Sequence, residues 1–329
     1  MPGIWLTQDE VIALPASGAA FNAVKAAADK ADWGLANVID AKYEHNINTL
    51  AGALMAVRLG GSYQARVETE LRKLIGSETR LGERQDTGQV PVLALGRKLG
   101  SYVIAADLIG FREPAWVAWL SALRTRPLAE STSFGDSLVG CHEKRPNNFG
   151  THAGFSRIAA DLYLADSSDL ARAVTVLRGW LGDRTAYASF QFGSNAWHPD
   201  PAAKVGINPP GSVIGGHSVD GVLPDDQRRS GGTPIAPKCA NYVRGALGPV
   251  LSTVCMLRRT SGYREAALWS NAAPLRAVRW LLDVCGCSFS GDDAWQPYLI
   301  RAIYGAPAAS DGSPGARGKS MAFTGWTHA

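Results

Sequence analysis

The chain has 329 residues, 46% of them apolar and 19% charged, with 33 Lys and Arg against 29 Asp and Glu. A chain of this length buries roughly three quarters of its unfolded surface, so neither disulfides nor a metal is needed to complete a core. The composition excludes intrinsic disorder. No run approaches the roughly 18 apolar residues of a membrane span, and a net charge of +4 gives no reason to expect nucleic acid while suiting an anionic substrate.

The opening MPGIWLTQDEVIALP has no basic segment and no long apolar stretch, so no signal peptide is expected there. Helical periodicity then dominates. Ala19 to Ala31 places Phe21, Val24 and Ala28 on one side, and Asn46 to Arg58 carries Ile47, Leu50, Leu54 and Val57 as an apolar stripe. Tyr63 to Ile75, Leu95 to Ile109 and Trp116 to Arg124 continue the pattern, the last after Pro114, a favourable first-turn residue. Gly150 to Ala165, Asp169 to Leu181, Tyr242 to Arg259 and Glu265 to Val284 complete the series. Gly60, Gly110, Gly182 and Gly262 stand near helix ends as stop signals. Alternating strand patterns are scarce, so paired helices with short connections predict an all-α array.

One segment breaks the rhythm. Ala186 to Lys238 is rich in Gly, Pro, Asn and aromatic residues, and Phe190, Phe192, Trp197 and Ile214 predict an ordered loop layer. One helical domain over residues 1–305 is expected, followed by a solvated tail over 306–329. The five cysteines (Cys141, Cys239, Cys255, Cys285 and Cys287) are too few and too odd in number for a disulfide framework. Cys285-Gly-Cys287 lacks the spacing of redox or zinc sites, and buried thiols are expected for most of the five.

Two polar clusters could carry chemistry. The first runs from Cys141 to His152 and contains Asn147-Asn148, with Asn148 a candidate helix cap and His152 one turn further on. The second runs from Gly216 to Arg229 and holds His217, Asp220, Asp225, Asp226, Arg228 and Arg229, with Tyr242 following at a helix start. Each alone reads equally as a cap and a solvated turn.

Taken in order, Asn-Asn…His, then Asp-Gly-x-Leu-Pro-x-x-x-x-Arg, then Tyr-x-x-x-Ala-Leu-x-Pro is similar to the alginate lyase superfamily of polysaccharide lyases. The resemblance runs from residue 7 to residue 304 and includes Leu14-Pro15…Gly18…Phe21 and Arg97…Tyr102…Asp107-Leu108. It implies an incomplete α/α toroid acting without a cofactor on an anionic polysaccharide, as a monomer, in a secreted, periplasmic or virion-associated setting. It also implies Asn148 as the group neutralising the substrate carboxylate, Arg229 as its cationic partner and Tyr242 as the catalytic tyrosine. Two departures stand out. Phe149 occupies the place where the family has its His, leaving His152 as the nearest imidazole, and Ser230 to Ala240 lengthens the Arg-to-Tyr spacing, so Arg228 competes with Arg229.

These residue types suit β-elimination from a 4-linked uronic acid. The C5 proton lies alpha to a carboxylate and becomes removable only when that charge is neutralised, a task for Asn148, His152 and Arg229. Tyrosine is a weak acid and needs a cationic neighbour before its hydroxyl can serve as base. Asn147, Arg97, Tyr102, His45, Asn46, His217 and Arg228 are the candidate substrate-binding residues, because polar groups at these places exceed what capping or a core requires.

Three rivals are open. A metal site from His142, His152, His217 and Asp220 matches no standard spacing, and no metal is expected. A glycoside hydrolase would need two opposed carboxylates, with Asp220, Asp225 and Asp226 as candidates. A carbohydrate-binding or virion surface module could keep the fold without turnover.

Overall fold

The computed structural model describes residues 3–40, 42, 44–79, 90–128, 136–239, 241–306 and 313–329. Its helices are α1 (Gln8–Ala13), α2 (Ala19–Ala28), α3 (His45–Leu59), α4 (Tyr63–Leu74), α5 (Pro91–Leu108), α6 (Pro114–Leu123) and α7 (Leu138–Lys144). They continue as α8 (Asn148–Leu164), α9 (Ser167–Leu181), α10 (Pro224–Gln227), α11 (Asn241–Arg258), α12 (Trp269–Arg279), α13 (Gln296–Tyr304) and α14 (Thr324–Thr327). One short antiparallel hairpin, β1 (Val213–Ile214) with β2 (His217–Ser218), accompanies them. The fold is all-α, as the periodicity predicts.

Burial separates two kinds of helix. Nearly every residue of α5 and α8 is buried, whereas α4 and α9 bury one stripe and expose the rest. Helices α3, α5, α8, α11 and α13 each pack on the next, and α2, α4, α9 and α12 flank this arc as hairpin partners. That is the layout of an incomplete α/α toroid, in which inner helices are covered on all sides and outer ones are amphipathic. A single cluster of buried apolar side chains runs from Ile4 to Trp326. No helix among the described residues is long and apolar enough to cross a membrane.

Close packing of α5 on α8 depends on two glycines. A Cβ at Gly96 would lie 2.9 Å from the Ala153 backbone nitrogen, and one at Gly100 would lie 2.2 Å from the Phe155 ring. Ser156 Oγ bridges the contact, donating to the Gly96 carbonyl at 2.7 Å and accepting from the Gly100 N–H at 2.8 Å. This brings Arg97 and His152, the neighbours of the contact, to one wall.

Several expectations need correction. The segment read as Glu265 to Val284 is not one helix. Ser270, Asn271 and Ala272 adopt left-handed φ values of 51°, 57° and 51°, and α12 passes into a π-helical turn at Trp280–Val284. The stretch from Cys141 to Lys144, the start of the first polar cluster and given no helix above, lies in α7, capped by Ser137. The tail is not solvated over residues 313–329: Met321, Phe323 and Trp326 are buried, and α14 packs between α13 and α2. Two cysteines are paired after all, Cys239 with Cys287. The loop layer is ordered as expected, with Trp197 buried edge-on to Trp280 at 6.1 Å and Phe192 against His198 at 4.9 Å.

Candidate active site

A cavity of about 460 Å³ lies where α5, α8 and α11 meet residues 290–296 and 319–320. Its size falls within the roughly 300–1,000 Å³ of small-molecule sites. Arg97, Asn148, His152, Tyr242, Arg244 and Lys319 are among its walls.

The start of α8 supplies the first group. Asn147, not Asn148, caps the helix, accepting the Phe149 N–H at 3.1 Å while its Nδ2 donates to Asp225 at 2.9 Å. With the cap supplied one residue earlier, the Asn148 side chain is free to face the cavity. The Asn148 N–H donates to Asp226 Oδ1 at 3.2 Å. Asp226 is fully buried, and burial pushes its carboxyl well above the usual range, towards the neutral form.

Arg229 joins the other two residues of the motif. Its Nη1 donates to Asn148 Oδ1 at 3.3 Å, and its guanidinium lies 3.4 Å from the Tyr242 ring centroid. Arg228 turns away, its Nε donating to Asp225 at 2.9 Å. Both sit in a 3₁₀ turn, where successive side chains diverge by about 120°, so only one of two adjacent arginines can meet Asn148. Asp225 also accepts from the Gly193 N–H at 2.8 Å, tying Arg228 into the loop layer.

Tyr242 begins α11 and is 39% exposed, open to a ligand entering the cavity. Pro249 further along the same helix has no N–H to give the Gly245 carbonyl, and both residues line the cavity. His152 is buried with Nδ1 unpartnered. Burial, reinforced by Arg97 and Lys319, pushes its pKa well below the ordinary imidazole value, so the ring is neutral. Arg97 is half-buried, and its Nε likewise finds no partner.

Several wall residues are absent from the candidates drawn from the sequence. Arg244 donates to the Ser288 carbonyl at 2.9 Å and to Asp293 at 3.3 Å, and Gln296 donates to Asp293 at 2.9 Å. Burial pushes Asp293 up to about 6 against the opposing pull of Arg244. Lys319 pairs with Asp292 at 3.4 Å. The polar run from Ser288 to Gln296 between two apolar segments was the available signal; Lys319 had none, lying in the presumed tail. Of the two arginines in the wall, Arg244 pairs with Asp293, whereas Arg97 has no carboxylate partner among the described residues; Arg229 stands behind the wall, against Asn148 and Tyr242.

Other candidates are elsewhere. His45 and Tyr102 are buried in the core, His45 Nδ1 bonding the Tyr102 hydroxyl at 2.8 Å and Nε2 meeting Glu70 at 3.1 Å. Asn46 borders a smaller pocket of about 140 Å³ that shares Arg97, Asp292 and Lys319 with the main cavity, but its Nδ2 is spent on Ser101 and the Lys319 carbonyl. His217 is exposed on the hairpin, Asn147 is a cap, and Arg228 is paired. The rival sets do not assemble either. His142 lies buried against Arg157 and Asp220 pairs with Arg276, far from a shared centre with His152 and His217. Asp220, Asp225 and Asp226 are not in the cavity wall.

No family model matches the chain, and no curated protein matches it. Among solved structures the chain is similar to an alginate lyase A1-III, a His-to-Ala variant complexed with a tetrasaccharide, at 12% identity and a TM-score of 0.49 over 98% of this chain and 90% of that one. At that distance the likeness fixes neither family nor activity.

Proposed function

We propose that the protein is a polysaccharide lyase that cleaves a 4-linked polyuronate by β-elimination. The observation that carries this reading is the contact of Arg229 with both Asn148 and Tyr242, two residues that line one cavity. A uronate carboxylate seated between Asn148 and Arg229 has its charge neutralised by hydrogen bonds that strengthen as the enolate-like state develops. His152, held neutral, and Arg97 stand on the same wall to complete that shell.

Tyr242 is then the proton carrier. Its oxygen takes the C5 proton, the C4–O bond breaks, the C4–C5 double bond forms, and the leaving oxygen recovers a proton from the same hydroxyl. One group serves both steps when the C5 proton and C4 oxygen share a ring face, as in mannuronate and glucuronate. Arg229 places positive charge against the ring that carries the transient negative charge. Mannuronate-rich alginate is the first substrate to try and glucuronan the second. The test is a screen of anionic polysaccharides that follows the ultraviolet absorbance of the new double bond. Absorbance growth on one polymer supports the reading. Silence on every uronate polymer from folded protein overturns it in favour of a binding module.

A further inference from the structure

Near the same cavity, the disulfide between Cys239 and Cys287 has a third sulfur beside it: Cys285 Sγ lies 3.3 Å from Cys287 Sγ. The three sulfur atoms lie within 4.8 Å of one another. Gly286 makes this possible with a φ of 65°, a left-handed turn that folds Cys285 and Cys287 back onto one side. The turn is held by the Cys285 and Cys287 N–H groups, which donate to the Trp280 and Leu281 carbonyls at 3.0 and 2.8 Å. Cys287 is the buried member, whereas Cys239 is exposed and Cys285 partly so.

We propose that these three cysteines form a thiol–disulfide exchange site in which Cys287 is always bonded and Cys239 and Cys285 alternate as its partner. The Cys285 thiol gives its proton to solvent and its sulfur attacks Cys287 Sγ. The Cys285–Cys287 bond forms as the Cys239–Cys287 bond breaks, and Cys239 leaves as a thiolate that regains a proton from water. One disulfide and one thiol exist before and after, so no external oxidant or reductant is required. The attacking sulfur is already in contact with its target, which replaces a bimolecular encounter with a local one.

The exchange bears on the cavity through chain connectivity. Cys239 stands three residues before Tyr242, and Cys287 directly precedes Ser288, whose carbonyl holds Arg244. The Cys239–Cys287 bond therefore clamps the chain entering α11 to the stretch that reaches the cavity wall at Ser290, and exchange releases that clamp. This consequence rests on the lyase reading, but the exchange itself is read from sulfur pairing alone.

The test is alkylation of the native full chain with iodoacetamide, without reductant, followed by non-reducing peptide mapping. Cys141 and Cys255 serve as unreactive controls, since burial pushes both thiols up to about 12. The expected result is label divided between Cys239 and Cys285 with none on Cys287. In Cys285→Ser, label on Cys239 should fall to background, and in Cys239→Ser a Cys285–Cys287 bond should be found. Label on Cys285 alone in the parent chain would show a static disulfide and overturn the proposal. So would label on all three, or Cys239 label that persists in Cys285→Ser.

Discussion

Two polar clusters that both draw on α5 make opposite use of the same side-chain types. From the core to the surface, Tyr102, His45, Glu70 and Lys73 form a closed chain: buried His45 bonds Tyr102 and Glu70, and Glu70 takes the exposed Lys73 at 2.8 Å. In the cavity wall, His152 Nδ1 and Arg97 Nε have no hydrogen-bond partner among the described residues, and Arg229, beside the wall, meets a neutral amide and an aromatic face. Histidine, tyrosine and a cation are present in both. A closed network has already met its desolvation cost and holds helices together, while an open one beside a cavity still has bonds to give a ligand. Satisfaction, not residue type, separates structure from site.

The largest difference should come from removing one hydroxyl on each side. Tyr242→Phe should lower turnover about 10²–10⁴-fold, the usual contribution of one positioned acid–base group, with substrate binding and thermal midpoint close to those of the parent. Initial rates beside calorimetric binding to the same oligouronate would show this. Parent-level turnover would return Tyr242 to a packing role. Tyr102→Phe should do the reverse, leaving KM and kcat unchanged while costing about 1–3 kcal/mol of stability in denaturant titration, because buried His45 Nδ1 loses its close partner and keeps only Thr49 Oγ1 at 3.4 Å.

A second closed network sharpens the contrast. Arg157, only 1% exposed, pairs with Asp169 at 2.5 Å and Glu143 at 3.2 Å between α8, α9 and α7. Arg157→Ala should cost about 3–5 kcal/mol, since it empties the place of a fully buried guanidinium and breaks its ion pairs, leaving Asp169 to Arg124 and Glu143 to Arg172. If Arg229→Ala cost as much, the two arginines would be doing the same work and the distinction would fail.

Acid should weaken the closed cluster in two stages. Its hydrogen bond with His45, aided by Lys73, holds Glu70 down at about 2 against an ordinary 4.5, and burial lowers His45 below its ordinary 6.5. Both folded-state values are depressed, so the stability they contribute is complete above the unfolded values. It drains as pH falls, from about 6.5 for His45 and between about 4.5 and 2 for Glu70. Glu70→Gln should flatten the lower part of that acid limb in urea midpoints measured across pH. The smallest effect is expected at His217→Ala, within about 0.5 kcal/mol and without a change in turnover, because that ring is exposed and outside the cavity.

Much of the candidate site was legible from motif order. Asn148, Arg229 and Tyr242 were singled out together and stand in contact, as motif residues separated along a chain do when each begins or ends a helix at one rim. His45 and Tyr102 were misplaced because a polar group on an apolar helix looks the same whether its partner is a substrate or Glu70. The choice between Arg228 and Arg229 was open for a related reason: adjacent residues share a composition but not a direction.

The sequence by itself determined most of the long helices, because the spacing of apolar residues is a local property that survives without knowledge of neighbours. It determined the all-α class and the presence of a packed loop layer for the same reason. Only the tertiary structure decided which polar groups are left open, which carboxylate claims which arginine, and that Lys319 from the end of the chain joins Arg97 at one wall. It alone paired Cys239 with Cys287 and turned Phe323 and Trp326 inward. Those outcomes depend on contacts between residues far apart in the chain, and on whether each polar atom finds a partner once water has been excluded.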